Sequence, residues 1–271
     1  MRLGTALVVA LVLGAATVSR AGDQAEPPLP EPAAFLAAAR ARLVIAAADY
    51  IRFSHRERST EIRFNPFGNL GAGPIVLSEV FPSADDRLTY RRILERDGKP
   101  LSDLDEQDRR YRARLKGASP ERTQQEANVR QTLELFTFAL ESRTIWAGQP
   151  AIVVRFAPKP GGQARTREAR VAKAFSGRVW VHEREHDVMY VEAQAIEDVS
   201  FGLGLVGRLH KGSSVRFTRN KIQGAWLPAL TVFKGSGRIL LRWVDIDFRR
   251  EYFDYRPFDP ADLPARLGWT P

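Results

Sequence analysis

The sequence predicts an α+β fold that is mainly β, in which one antiparallel sheet carries few helices. About ten segments are rich in β-branched and aromatic residues or alternate apolar with charged positions. Many breaks between them are short and contain turn residues, as at Gly148-Gln149, Gly161-Gly162 and Gly235-Ser236-Gly237. Such breaks favour antiparallel neighbours in a meander, because parallel strands need long crossover connections.

The last predicted strand has one dry face and one wet face. Val244, Ile246 and Phe248 are apolar, and the residues between them are charged. Successive side chains of a strand point to opposite faces, so this pattern predicts a sheet with one buried face. The pair Asp245 and Asp247 is therefore interpreted as part of a solvated face rather than as a catalytic carboxylate dyad.

The N-terminal segment has the pattern of a secretory signal peptide. One early cation, Arg2, precedes an apolar run from Leu3 to Val18, and Ser19-Arg20-Ala21 has small residues at the positions that a signal peptidase reads. The run is short for a membrane span, and charge follows it at once. A retained N-terminal anchor is the alternative.

This pattern divides the chain into four parts: a signal peptide at 1–21, a proline-rich linker at 22–33, a single domain at 34–258 and a C-terminal tail at 259–271. The sequence contains no cysteine, so no lipid can be attached to one after the signal and no disulfide can form. We therefore expect a soluble protein in the periplasm, held together by its core alone.

The charge of the chain is basic. It is +9 in total and +7 once Arg2 and Arg20 leave with the signal. A basic exported protein is expected near anionic lipid headgroups or nucleic acid. The arginines are scattered along the predicted elements rather than clustered, so transient contact with a membrane surface is predicted and a nucleic-acid partner is not.

Helical patterns occur near the N-terminus and in one insertion. Residues 33–51 repeat apolar side chains at spacings of three and four, which predicts a short amphipathic helix. The insertion at 102–129 is long and charged, with helix-start residues at Ser102 and Ser119. Both predicted insertion helices are mostly polar, so we expect each to lie on the surface and cover little.

The segment His182-Glu183-Arg184-Glu185-His186 matches H-E-x-x-H, the zinc-protease signature. The signature needs a helix, because only a helix places both imidazoles on one face. The flanking residues are β-branched or aromatic, which favours strands, and along a strand the two histidines would lie about 13 Å apart. We interpret Glu183 to Asp187 as the exposed turn of a hairpin, across which weak adventitious metal binding stays open.

Other catalytic signatures are missing from the sequence. It has no G-x-S-x-G, no P-loop and no glycine-rich dinucleotide motif. His55 and His210 are isolated in the sequence, and each is expected to be solvated or hydrogen-bonded. The segment from Phe201 to Gly207 is apolar and rich in glycine, as in a flexible loop. We therefore predict a protein that is not an enzyme and that needs no metal or other cofactor.

The order of these parts resembles that of the LolA/LolB-like superfamily of periplasmic lipoprotein carriers. One local feature is Gly177 followed by V-W-V at Val179 to Val181, a turn and a second strand that reads V-M-Y-V-E. The other is the tyrosine-rich closing strand that ends in Tyr255-Arg256-Pro257-Phe258. The resemblance covers most of residues 35–258, and it makes the predicted domain a LolA-like one.

The resemblance implies a strongly curved antiparallel sheet, an unclosed half-barrel, with a few helices on its concave side. The space between sheet and helices would hold lipid or the acyl chains of a lipoprotein. The helices would fill this apolar hollow incompletely. A lipid tail that enters it would contribute about 0.8 kcal/mol of binding free energy per buried methylene. The candidate lining residues are the apolar strand positions Phe136, Phe138, Val154, Phe156, Trp180, Val244, Ile246 and Phe248.

Two alternatives to a lipid carrier remain. The same fold could act as a non-catalytic interaction or sensor module that binds an envelope protein through a sheet edge or an arginine-rich face. The zinc hydrolase is the least favoured reading. Charge and composition are the same for the lipid carrier and for the interaction module, so they do not distinguish these two functions.

Overall fold

The structure is a computed structural model that describes residues 27–63, 70–83, 88–116, 133–164, 167–201, 207–239 and 242–268. The predicted signal peptide, the second insertion helix and most of the glycine-rich loop lie outside the described residues. Among the residues described, no helix is both long and apolar enough to cross a bilayer.

The described chain is mostly strand. Its helices are α1 (Pro32–Tyr50), α2 (Leu104–Lys116), α3 (Arg167–Lys173) and α4 (Leu263–Arg266). Its strands are β1 (Phe53–Arg63), β2 (Gly71–Phe81), β3 (Tyr90–Arg96), β4 (Lys99–Pro100), β5 (Phe136–Trp146), β6 (Gln149–Pro158), β7 (Phe175–His182), β8 (Val188–Ala195), β9 (Val199–Phe201), β10 (Gly207–Leu209), β11 (Ser214–Ile222), β12 (Ala225–Ile239) and β13 (Arg242–Pro257).

All these strands belong to one antiparallel sheet. Its order is β4-β3-β2-β1-β13-β12-β11-β8-β7-β6-β5. The short strand β9 pairs with β10, and β10 pairs with the C-terminal end of β12. In the described part of the chain β4 and β5 are the two edges and do not pair with each other, so the sheet is an unclosed half-barrel. The predicted fold class is confirmed. The first and last strands of the chain order, β1 and β13, pair at its centre.

Two helices lie on the same face of this sheet, which we call the inner face. Phe35 of α1 packs with Ile152 and Val154 of β6. Val171 of α3 packs against Phe156, the next residue of β6 on that face. The amphipathic pattern of residues 33–51 and the prediction of helices on one side are thus accounted for by α1 and α3.

Helix α2 lies on the opposite, outer face. Its Tyr111 ring stacks on Tyr90 of β3 with centroids 4.2 Å apart, and its Asp108 contacts Arg92 at 3.1 Å. Tyr90 and Arg92 alternate with Arg91, which faces the inner side. The first insertion helix therefore does not cover the inner face.

Two details of the sequence prediction were wrong. Helix α3 was not predicted, because it has only seven residues and too few apolar positions to show a helical period. The Gly235-Ser236-Gly237 segment was predicted as a break, but β12 runs through it. A Cβ on Gly237 would lie 2.5 Å from the carbonyl oxygen of Arg208, so this glycine lets β10 approach β12 closely.

The segment predicted as a C-terminal tail packs against the sheet. Leu263 of α4 is buried with Phe81, Tyr90 and Phe258. Arg266 donates hydrogen bonds to the Ser54 hydroxyl and to the carbonyl oxygen of Pro257. These contacts tie residues 260–266 to the start of β1 and the end of β13.

Strands β7 and β8 approach each other closely at Gly177, and a substitution there tests this approach. A Cβ at this position would lie 2.0 Å from the carbonyl oxygen of Glu192 on β8. Backbone cannot give way as a flexible side chain can, so we expect Gly177→Ala to lower the free energy of unfolding by about 3 kcal/mol. The neighbouring Ser176→Ala is the control, with a change expected within about 0.5 kcal/mol. Urea unfolding of both variants measures the difference, and equal stabilities would contradict the observed strand approach.

Candidate binding site on the inner face

A row of directly paired residues crosses six strand pairings on the inner face. We call it the central row. Its members, from the β5 edge to β13, are Phe138, Phe156, Gly177, Ala193, Val215, Phe233 and Phe248. Directly opposed residues of antiparallel strands share a face, so the row is continuous across the sheet.

The central row lies between the two inner helices. On one side, α1 packs on the neighbouring row that contains Leu140, Val154, Val179 and Val191. On the other side, Val171 of α3 packs in a cluster that contains members of the central row itself. The large side chains of the row are only half-buried in the described structure. This is the pattern expected of an apolar surface that its helices cover incompletely.

The predicted lining residues fall into three groups. Phe136, Val154 and Val244 are on the inner face but buried, at 6%, 2% and 5% exposure, so they belong to the packed core. The half-buried residues of the same face are Phe138, Phe156, Ile246 and Phe248.

Trp180 does not lie with the other predicted residues. It alternates with Val179 and Val181, which face α1, so its indole is on the outer face. There its ring centroid is 4.9 Å from that of Tyr190 and 5.6 Å from that of Trp146. The motif V-W-V identified the strand, but alternation assigns its tryptophan to the opposite side from the expected hollow.

A buried polar cluster adjoins the apolar surface on β1. The His55 side chain is fully buried, and its Nε2 is 3.4 Å from the Glu57 carboxylate and 3.3 Å from the Tyr50 hydroxyl. The ring stacks on Tyr255 with centroids 4.9 Å apart. His55 is hydrogen-bonded, as expected from the sequence, but its complete burial was not foreseen.

Two arginines from other strands approach Glu57. Arg91 of β3 lies 3.4 Å and Arg250 of β13 lies 3.7 Å from its Oε2. Burial alone would raise the pKa of Glu57, but the hydrogen bond with His55 and the charges of Arg250 and Arg91 outweigh it. The pKa of Glu57 is therefore below its ordinary value of 4.5, and the carboxylate is charged at neutral pH.

The sequence signal for this cluster was present but incomplete. Strand alternation in β1 places His55, Glu57 and Ser59 on one face. The partner Arg250 is nearly two hundred residues away along the chain, and only the pairing of β1 with β13 brings it opposite Ser59.

The segment with the zinc-protease pattern forms a hairpin, as predicted. β7 ends at His182, a turn follows, and β8 begins at Val188. His182 Nδ1 accepts hydrogen bonds from the backbone N–H groups of Arg184 and Glu185, at 3.3 and 3.1 Å. This nitrogen is therefore occupied, and the described residues contain no group of three His, Asp or Glu side chains placed to hold a metal ion.

One residue of that turn was wrongly predicted as exposed. Asp187 is 1% exposed. It pairs with Arg42 of α1 at 2.5 Å and lies 3.9 Å from the buried Arg219 of β11. A buried carboxylate is tolerated only when it is paired, so this contact fixes the position of α1 over the inner face.

Two open grooves with charged walls lie elsewhere on the surface. One, of about 540 Å³, is near α3 and includes Arg170, Lys173 and Asp198. The other, of about 450 Å³, is between β3 and α2 and includes Arg110 and Arg114. Neither groove is lined by a residue of the central row.

No protein-family profile and no curated protein matches this sequence. Solved structures that are similar to it include the following three. An outer membrane lipoprotein-sorting protein domain from Vibrio parahaemolyticus is 9% identical with a TM-score of 0.33, and covers 85% of this chain and 97% of its own. A DUF1329 family protein from Desulfovibrio piger is 12% identical with a TM-score of 0.31, at 89% and 98% coverage.

The third is a LolA superfamily protein from Nitrosomonas europaea, 11% identical with a TM-score of 0.26, covering 85% of this chain and 97% of its own. The sequence motifs also resemble the superfamily named for this third structure. At these identities the similarity concerns the fold alone. The fold assignment rests on the strand pairing itself.

The Glu57 cluster predicts a pH dependence of stability. A carboxylate whose pKa is lower in the folded than in the unfolded state stabilises the fold above its unfolded pKa. That contribution is lost as the pH falls through the folded-state pKa. We expect Glu57→Gln to be less stable than the parent by roughly 3 kcal/mol at neutral pH, because it leaves two guanidinium groups without their carboxylate.

The difference in free energy of unfolding between the parent and Glu57→Gln should narrow as the pH falls from ~6 to ~3. Over this range the parent loses the stabilisation that the charged Glu57 provides, and the variant has no such carboxylate. Urea unfolding of both proteins across that range measures it. A difference that stays constant with pH would show that Glu57 is not charged in the folded protein.

Proposed function

We propose that this chain is a soluble periplasmic carrier that holds a lipid, or the acyl chains of a lipidated protein, on the inner face of its half-barrel. The observation that carries the proposal is the half-buried central row between α1 and α3. A tail laid along this row would remove apolar surface from water both on the protein and on the ligand. Each buried methylene would contribute about 0.8 kcal/mol.

In this proposal the chain consists of a signal peptide, a linker, a LolA-like domain and a C-terminal segment. The signal peptide directs the chain to the periplasm. It includes no catalytic step and no cofactor. Phe138, Phe156, Phe233, Ile246 and Phe248 are its ligand contacts. The buried residues Phe136, Val154 and Val244 support them from within the core.

Binding of a neutral apolar fluorophore, N-phenyl-naphthylamine, tests the proposal. We expect the parent protein to enhance its fluorescence, and Phe233→Asp and Ile246→Asp to weaken binding at least ~10-fold, because each places a charge on the apolar inner face. Trp243→Asp is the matched control, since Trp243 is 70% exposed on the neighbouring part of β13. Its binding should equal that of the parent.

Mass spectrometry of lipids extracted from protein purified from its native compartment complements this test. The absence of both co-purified lipid and dye binding would contradict the carrier function. Thermal unfolding of each variant separates lost binding from lost folding.

A second function, binding of an envelope protein, is favoured by the edge strand β5. Among the described residues, β5 pairs only with β6, so the other edge of this long strand offers unpaired backbone groups. Ile145 near its end is 67% exposed. A peptide could add to such an edge as a further strand. A pulldown that enriches one protein and no lipid would support this function over the first.

A further inference from the structure

Arg250 lies where the apolar surface meets the polar cluster. It follows Phe248, the last member of the central row, by two positions on β13, so both side chains are on the inner face. The Arg250 guanidinium lies over the Phe248 ring, 5.2 Å from its centroid. On the neighbouring strands the residues opposite Arg250 are Thr231 and Ser59, which both carry hydroxyl groups.

One hydrogen-bond donor of Arg250 has no partner in the protein. Its Nε is buried and has no hydrogen-bond partner. The nearest carboxylate, Glu57, is 3.7 Å away, which is beyond hydrogen-bond distance, and is already hydrogen-bonded to His55. A buried donor without a partner costs free energy, so its retention at this place points to a ligand that accepts from it.

The side chain is also accessible to such a ligand. Arg250 is 29% exposed, whereas Glu57 behind it is 3% exposed. A molecule lying along the central row would therefore meet the guanidinium before the carboxylate. Guanidinium groups pair with carboxylate and phosphate oxygens through two parallel hydrogen bonds, which a neutral headgroup cannot match.

We propose that the ligand of the inner face is an amphiphile with an anionic headgroup, which pairs with Arg250 while its tail lies along the central row. This inference rests on the proposed carrier function and adds the chemical class of the ligand. It commits to a single-chain anionic lipid, whose headgroup is at the β13–β1 end and whose tail runs toward β5.

Displacement of N-phenyl-naphthylamine by two single-chain lipids with the same acyl chain tests this inference. Lysophosphatidylglycerol has an anionic phosphate, and monoacylglycerol has an uncharged headgroup without phosphate. We expect the parent to bind the anionic lipid roughly tenfold more tightly, the effect of one charge-assisted hydrogen bond. Arg250→Gln should remove this preference, and Arg250→Lys should keep part of it. The preference is the ratio of the two lipid affinities measured on the same variant, so a change in dye affinity cancels.

Arg249→Gln is the matched control. Arg249 is the preceding residue, lies on the outer face, and pairs with Glu251 at 2.9 Å. It should keep the full preference. An equal preference in Arg250→Gln and the parent, or none in the parent, would overturn the headgroup assignment while leaving the carrier function in place. Failure of the parent to bind the dye or either lipid would overturn both.

Discussion

The docking of α1 on the inner face is the contact on which the rest of the structure depends. A sheet with one apolar face must bury that face, and in the described chain only α1 and the short α3 lie on it. The pair of the half-exposed Arg42 with the buried Asp187, close to Arg219, holds α1 over β6, β7 and β8. Because Asp187 is out of water, moving α1 would expose apolar surface and leave a buried carboxylate without its partner. The helix is thus fixed on the inner face, and the central row remains beside it.

The inner face changes character along the strand order. Helix α1 runs along one side of it, from Phe35 packed on β6 to Tyr50, whose hydroxyl is 3.3 Å from His55 of β1. The central row beside the helix is apolar and half-buried, and at β1 the face becomes polar, with His55, Glu57 and Arg250 together. A surface that changes from apolar to cationic over a few residues fits an amphiphile better than a purely apolar molecule. The outer face carries ion pairs such as Arg178 with Glu141, and its aromatic residues Trp146, Trp180 and Tyr190 pack on one another.

Strand alternation and turn chemistry were enough to predict the antiparallel sheet, the hairpin at His182 and the dry and wet faces of β13. They were not enough where long-range pairing decides the environment. Asp187 was predicted to be an exposed turn residue, because the sequence does not show that Arg42 and Arg219 lie around it. The Gly235-Ser236-Gly237 segment was predicted as a break, because the sequence does not show that β10 packs against Gly237 and Ser213 against Gly235.

The central claim is that a lipid tail lies on the inner face along the central row. Isoleucine-methyl NMR with a spin-labelled fatty acid tests it most directly, because a nitroxide broadens only nearby methyl resonances. Ile246 is on the inner face, and Ile75 of β2 is 52% exposed and faces the outer side. We expect the Ile246 methyl resonance to broaden at stoichiometric ligand and the Ile75 resonance to stay sharp. Broadening of Ile75 alone, or of both resonances equally, would contradict the account.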